Sequence, residues 1–424
     1  MEYIAVLDLG SSKMKAMVAR KDNRQELLAS VQTVSGNGIR RGLVYNSEEA
    51  AGKIVAIIQE LNKRLKVGIK QVYVGIGGQG LHSQACSIQK AIDGAEIDQF
   101  TINDIDGECQ ENLNVAMEII DIVSPEYYLD GVLEANPEGI ACETIEAKYQ
   151  AIAGHSFKFQ SEVEKALQRI NVKVAGYLVA PIATASAVLT DKERKAGCAL
   201  VEIGAEITSL SIYKDGLLRY LRTIPLGSGS ITKDLIDADK TEAEAEEWKL
   251  NEGNAFPEEK EEDIYRIVPA RAKEIIDNIC KQIDESGYKK ETLGAGIVLT
   301  GGGSLLKNID QLLTQESKQT VRKVENPAQS CAMGLLKLGK ENCSLPEPVK
   351  IEPPTVAPQD EEGDYDLFGG FFRKPKKKKT KPKENKPQPQ VPVPNPKETT
   401  SSASAPAQKS VLDKIVKGLF EDQE

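Results

Sequence analysis

The chain has 424 residues, enough for two large domains or several smaller ones, and its 28% charged and 40% hydrophobic residues are usual for a soluble globular protein. A net charge of −10 argues against nucleic acid as a bulk partner, and two histidines supply neither a histidine-rich metal site nor much material for a Ser-His-Asp triad. The seven cysteines form no CxxC pair, which fits reduced thiols in a cytoplasm; no apolar run reaches the ~20 residues that span a bilayer, and no signal peptide is expected.

Tyr3 to Leu7 is an apolar, β-branched run and reads as a buried strand. Asp8-Leu-Gly-Ser-Ser-Lys13 then turns the chain back into a partner strand at Met14 to Ala19. Gly10 has no side chain to block an anion, so backbone N–H groups and the hydroxyls of Ser11 and Ser12 can face one. Lys13 adds a point charge, and Asp8 can hold a metal through its water shell. Taken alone, the stretch also reads as an ordinary polar hairpin. Glu26 to Val34 reads as a third strand, and Glu48 to Leu65 carries Ile54, Ile57, Ile58, Leu61 and Leu65 at helical spacing. Gln71 to Ile76 is a short buried strand, closed by Gly77-Gly-Gln-Gly80.

Residues 81 to about 155 differ in character: an acidic helix at Ile97 to Ala116, then Ile119-Ile-Asp-Ile-Val123 leading into Ser124-Pro-Glu-Tyr-Tyr-Leu-Asp130, a turn at Asn136-Pro-Glu-Gly139, and a strand at Glu143 to Ala153. A compact insert with its own small sheet and helix is expected. Helix Gln160 to Arg169, strand Val172 to Val179 and the small-residue helix Pro181 to Leu189 follow.

Strand Ala199 to Ile203, turn Gly204-Ala-Glu206 and strand Ile207 to Tyr213 repeat the build of the first hairpin. Leu226-Gly-Ser-Gly-Ser230 opens a helix, Ala243 to Ala255 is a charged helix, Pro257 to Asp263 is an acidic loop, and Val268 to Ser286 is a long helix with Ile275, Ile276, Ile279 and Ile283 on one side. A third glycine turn, Gly301-Gly-Gly-Ser304, follows the apolar run Ala295 to Thr300, and Ala328 to Leu336 reads as a closing helix. From Leu345 the composition shifts to Pro, Lys, Glu, Ser and Gln, so 345–408 reads as a disordered linker, with a polybasic run at Arg373 to Lys383. The end becomes periodic again. Val411, Leu412, Ile415, Val416, Leu419 and Phe420 take one half of a helix, with Lys414 and Lys417 on the other. At ~18 Å such a helix is too short to span a bilayer but suited to lying in its surface.

Two strand-turn-strand units and a late Leu299-Thr-Gly-Gly-Gly303 resemble the actin, Hsp70 and sugar-kinase superfamily, whose two related lobes grip a nucleotide. The order of Gly78-Gln-Gly-Leu-His-Ser-Gln84, Pro125-Glu-Tyr-Tyr-Leu-Asp130 and Asn136-Pro-Glu-Gly139 narrows the resemblance to the FtsA family of bacterial cell-division actins. That resemblance implies an α/β, actin-like two-lobed fold with a duplicated βαβ core and a central nucleotide cleft. The first lobe would span 1–80 and 156–190, an FtsA-type subdomain 81–155, and the second lobe 191–344 with its own subdomain at about 235–292. A disordered linker at 345–408 and a membrane-targeting amphipathic helix at 409–424 would complete the chain. ATP, with magnesium, would be held by Asp8, Gly10, Ser11, Ser12, Lys13, Gly204, Gly301, Gly302 and Gly303. Glu246 and Lys249, in an Ala-Glu-x-x-Lys pattern, would face the ribose and base, although a lone Glu-x-x-Lys is also a solvated helix face. Asp8, through water, and Glu202 would hold the metal. The resemblance further implies filaments of the chain itself, tethering of the tubulin-like protein FtsZ to inner-membrane lipids through the tail, contacts with other division proteins, and a place on the cytoplasmic face of the membrane at the division site.

The second turn departs from the family pattern. That pattern is Asp-Ile-Gly-Gly-Gly-Thr-Thr/Met-Asp, whereas this chain reads Glu202-Ile-Gly-Ala-Glu-Ile-Thr-Ser209. Glu206 is expected to set a carboxylate where backbone amides should meet phosphate, a repulsion of ~4 kcal/mol for charges ~4 Å apart at an effective dielectric of about 20. Hydrolysis is therefore expected to be slow or absent. A superfamily kinase or ATPase, and a pilus-assembly actin, are the alternatives. The altered turn counts against a kinase, which also has no use for the amphipathic tail.

Overall fold

The computed structural model describes residues 2–343, apart from 24–25, 34–37, 67, 114–116, 258–263 and 289. The expected linker at 345–408, the tail helix with Val411, Leu412, Lys414, Ile415, Val416, Lys417, Leu419 and Phe420, and most of the acidic loop lie outside the described residues.

The first half opens with β1 (Tyr3–Leu9), β2 (Met14–Arg20) and β3 (Leu27–Gln32), followed by a small hairpin of β4 (Ile39–Arg40) and β5 (Leu43–Val44). Asn46 accepts the Glu49 N–H and so caps α1 (Ser47–Leu65), whose Ile54, Ile57, Ile58 and Leu61 are buried while Leu65 is half-buried. After β6 (Gln71–Ile76) come β7 (His82–Ala91), α2 (Gln99–Asn112), β8 (Glu118–Leu129), β9 (Val132–Glu134) and β10 (Thr144–Gly154). The half closes with α3 (Phe157–Gln168), β11 (Lys173–Val179) and α4 (Ala180–Val188). A short α5 (Asp191–Ala196), started by a reciprocal capping box between Thr190 and Glu193, leads on. The second half contains β12 (Cys198–Ile203), β13 (Thr208–Lys214), β14 (Leu217–Ile224), α6 (Gly229–Asp237), α7 (Glu242–Asn251), α8 (Ile264–Glu285), β15 (Ile297–Thr300), α9 (Ile309–Ser317), β16 (Val321–Lys323) and α10 (Ser330–Leu338).

Strand order shows a duplication. The first sheet runs β11-β6-β1-β2-β3, and its counterparts in the second half run β16-β15-β12-β13-β14. In each, the central strand pairs antiparallel with its successor, and parallel with the strand reached across the first long helix of that half. The expected α/β, actin-like duplicated core is therefore present. Its two main cores are separate: α1, α3 and the first sheet enclose one, and α6, α8, α9 and the second sheet enclose the other.

Two readings are corrected. The long helix starts at Ile264 rather than Val268, carrying Pro269 in its second turn, where the missing N–H removes one helical bond near the end. More importantly, the insert has no sheet of its own. β7 pairs with β10 along its length and meets β14 at Arg222 opposite His82, so β7-β10-β8-β9 extend the second-half sheet to nine strands. Residues 82–84, the end of the family-like stretch Gly78 to Gln84, open β7. β14 escaped notice because Arg219 and Arg222 interrupt its apolar residues.

The helices that end each half, α4 and α10, lie against one another. A Cβ on Gly334 would stand 1.8 Å from the Ala183 carbonyl oxygen, so only hydrogen fits at that crossing. α10 buries Cys331, Ala332, Leu335 and Leu336 in the first-half core, although it belongs to the second half in sequence.

Candidate functional site: the cleft between the halves

The glycine turns at 10–13, 204–207 and 301–303 leave the carboxyl ends of β1, β12 and β15, and all three open into one cavity of about 600 Å³. Open α/β sheets bind ligands in this position. Asp8, Gly10, Ser11, Ser12, Lys13, Glu202, Gly204, Glu246, Lys249, Gly301, Gly302 and Gly303 all line it, so the structure brings together every residue expected in the cleft.

The first two turns are built alike. A Cβ on Gly10 would meet the Lys13 carbonyl oxygen at 2.8 Å, and one on Gly204 would meet that of Ile207 at the same 2.8 Å. Position by position, Ala205 stands where Ser11 does, Glu206 where Ser12 does, and Ile207 where Lys13 does. Only the first turn offers hydroxyls and an ammonium to an anion. The second is braced from behind: Ser228 and Gly229 donate their N–H groups to the carbonyls of Gly204 and Ala205 at 2.9 and 2.7 Å.

The floor joins both sheets to both crossing helices. Thr184 on α4 donates its hydroxyl to Glu202 at 3.0 Å, and the Cys331 thiol on α10 lies beside the Asp8 carboxyl. Burial, and then the charge of Asp8, push Glu202 up to about 7. Burial also raises Asp8, against the pull of the Lys15 ammonium and the Cys331 thiol. Lys15 is tied down by donating to the Ala328 carbonyl. Two carboxyls close enough for the charge of one to raise the other, both raised by desolvation, make a ready place for a cation.

The side wall is formed by α6 and α7. The buried Lys249 ammonium donates to Thr232 Oγ1 at 2.8 Å and to Glu246 Oε2 at 2.6 Å, and reaches the Ser228 carbonyl at 3.5 Å. Thr232 donates in turn to Glu246 at 2.8 Å. Burial alone would raise the Glu246 carboxyl, but Lys249, this hydroxyl and the charge of Lys13 hold it below its ordinary value. Lys249 thus fastens α7 to α6, while Glu246 remains part-exposed on the cavity wall.

Glu206 lines the cavity as well and is engaged within the chain. Its Oε2 accepts the Arg41 N–H at 2.6 Å and its Oε1 lies 3.8 Å from the Lys233 ammonium, so the carboxylate has partners in the β4–β5 hairpin and in α6. Sequence reasoning missed Arg41, along with Thr184, Cys331, Lys15, Ser228 and Thr232. Lys15 had a signal: alternation along β2 places it on the same face as Lys13.

A family model described as cell division protein FtsA matches residues 199–334. The FtsA protein of Porphyromonas gingivalis is 34% identical over 329 residues, which span 72% of this chain and 68% of that protein. The chain belongs to the FtsA family of cell-division proteins. The FtsA protein of Neisseria meningitidis agrees, at 28% identity over 389 residues, 82% of this chain and 92% of that one. Among solved structures, the PilM–PilN type IV pilus biogenesis complex aligns at a TM-score of 0.56 and 18% identity, over 80% of this chain and 98% of that chain. The ethanolamine utilization protein EutJ of Carboxydothermus hydrogenoformans aligns at 0.52 and 12%, over 80% and 90%. Both likenesses show the fold that this FtsA-family chain shares with actin-like proteins.

Proposed function

We propose that the cleft binds ATP with magnesium, and that the protein assembles into filaments which tether FtsZ to the inner-membrane lipids on the cytoplasmic face at the division site. The observation that supports this best is the pair of matching glycine turns opening into one cavity above a carboxylate pair. In this reading Gly10, Ser11, Ser12 and Lys13 bind phosphate on one side, and Gly204 with Gly301, Gly302 and Gly303 on the other. Glu246 lies on the wall where a ribose would rest, and Lys249 holds that wall in place. Asp8 through water, and Glu202, would hold the magnesium, whose charge would offset that of the phosphates. The fit is electrostatic: the charge of a divalent cation would offset the desolvation that raises both carboxyls. Hydrolysis is slow or absent because Ala205 and Glu206 replace two phosphate-turn glycines.

The tether would be the tail. Its six apolar side chains would contribute ~1.5–3 kcal/mol each when fully buried, less for a short helix that must order on the membrane. Attachment is then weak for one copy and firm for a filament presenting many. The insert at 81–155 would contribute to the contact between copies.

Titration of the full chain with a fluorescent ATP analogue and magnesium, followed by vesicle co-sedimentation with FtsZ, tests both parts. Lys13→Ala should lose nucleotide while unfolding at the parent temperature, and Phe420→Asp should leave the vesicles with nucleotide binding intact. A Lys13→Ala protein that binds like the parent, or a Phe420→Asp protein that still sediments with vesicles, would overturn the corresponding part.

A further inference from the structure

We propose that Glu206 is a positioning residue that pins the β4–β5 hairpin across the cleft, and that nucleotide leaves only when this pin opens. The release step rests on the nucleotide reading above; the pin itself does not.

The hairpin tip touches both phosphate turns through consecutive backbone amides. Arg41 donates its N–H to Glu206 of the second turn at 2.6 Å, and Gly42 donates its N–H to Ser11 Oγ of the first at 3.0 Å. Arg41 and Gly42 have φ of 48° and 71°, and such turn conformations direct successive N–H groups into an anion-binding concavity. Here the anion is supplied by the chain. An unpaired carboxylate in this turn would oppose phosphate, but with the Arg41 amide on one oxygen and Lys233 near the other its charge is shared.

The hairpin is anchored from behind as well. Gln79 donates its N–H to the Arg41 carbonyl at 2.8 Å and accepts from the Arg41 guanidinium at 3.1 Å. A Cβ on Gly42 would lie 2.5 Å from the Gly78 Cα, so the tip sits flush on the glycine run that follows β6. Through Ser11 and the run after β6 the hairpin follows the first half, although Thr223 of β14 also holds that run at the Gly78 carbonyl, and Glu206 belongs to the second half. Any separation of the halves that frees a ligand between turns 10–13 and 204–207 must stretch the contact between them. Serine at this position, as in the first turn, is too short to make the same reach.

The full-length protein carrying Glu206→Ala or Glu206→Gln tests the proposal, because glutamine keeps a carbonyl acceptor and removes the charge. Without nucleotide, amide exchange at Arg41 should quicken in the alanine variant and stay slow in the glutamine variant. With magnesium and a fluorescent ATP analogue, release should be about tenfold faster from the alanine variant and within about twofold of the parent for glutamine. Parent-like exchange in the alanine variant would overturn the pin. Equal acceleration of release by both substitutions would overturn it too, because charge and not the bridge would then set the rate. If the parent binds no nucleotide while exchange still separates the two variants, the nucleotide reading fails and the pin stands.

Discussion

Asp121 shows how one side chain can set a pH limit on the whole fold. It lies on β8, its carboxylate accepts the Ile122 N–H at 2.9 Å, and burial pushes it up to about 6 from the ordinary 3.8. Below about pH 3.8 it is protonated folded or unfolded and contributes no pH dependence. Between 3.8 and 6 the folded chain keeps a proton that the unfolded chain gives up, so stability falls as pH rises, and above 6 the loss is complete. Asp121→Asn should therefore stabilise the protein by on the order of 1–3 kcal/mol at pH 7.5 and by almost nothing at pH 4, read from urea unfolding at the two values. Equal effects at both would mean that the carboxyl is ionised in the folded state as it is in water. The contrast between Glu202 and Glu206 shows what a single residue discloses in sequence. Glu202 ends a recognisable strand before a glycine, so its place on the cleft floor was legible. The destination of Glu206 was not, because its partner Arg41 lies 165 positions earlier and is engaged through a backbone amide that any residue type carries.

Among elements, the two crossing helices link packing to the site. α4 carries Thr184 and α10 carries Cys331, so the helix contact that positions the cleft floor depends on the space left by Gly334. Gly334→Ala forces the backbones apart, and a destabilisation of ~1–3 kcal/mol is expected from the overpacking. Weaker nucleotide binding should accompany it as Thr184 and Cys331 shift. Gly52 on α1 is the control, since a Cβ there meets nothing within 4 Å; Gly52→Ala should stabilise by about 0.5–1 kcal/mol and leave the cleft unaffected. Chemical denaturation and analogue titration of both variants check the pair. A Gly334→Ala protein as stable as its parent would mean that the helices are not held at this point. The sequence showed that α4 is made of small residues but not what crosses it, because the same residues suit any tightly packed helix. Helices and strands with clean periodicity, such as α1 and β1, were legible. β7 and β14 were not, since polar or charged side chains interleave their apolar positions and only the neighbouring strand explains them.

Across the whole molecule, the insert is continuous in sequence with the first half but fastened to the second. Beyond the pairing of Arg222 with His82, Thr223 donates its N–H to the Leu81 carbonyl at 3.0 Å, Leu221 donates its N–H to Ser83 Oγ at 2.8 Å, and Leu218 donates its N–H to Ser124 Oγ at 3.0 Å. The strongest tie is a two-pronged ion pair. Both terminal guanidinium nitrogens of Arg219 on β14 meet the Glu126 carboxylate on β8, with 20% and 13% of the two side chains exposed. Hydrogen bonding to the Glu126 carboxylate, more than its charge, holds the Arg219 guanidinium above its ordinary range, so proton loss plays no part near neutral pH. Removing one partner leaves the other half-buried without its counter-charge, at a loss of ~1.5–3 kcal/mol; removing both restores part of this, because a buried pair repays only some of its desolvation. If the insert and second half are one mechanical body, Glu126→Ala should speed amide exchange in β7 and β14 together, though the substituted residue lies in neither. Arg219→Ala should do the same, and the double variant should exchange more slowly than the sum of the two implies. Faster exchange confined to the insert, with β14 unchanged, would instead make the insert an independent body, and movement of the second half would not be carried through β14 to the edge strand β9.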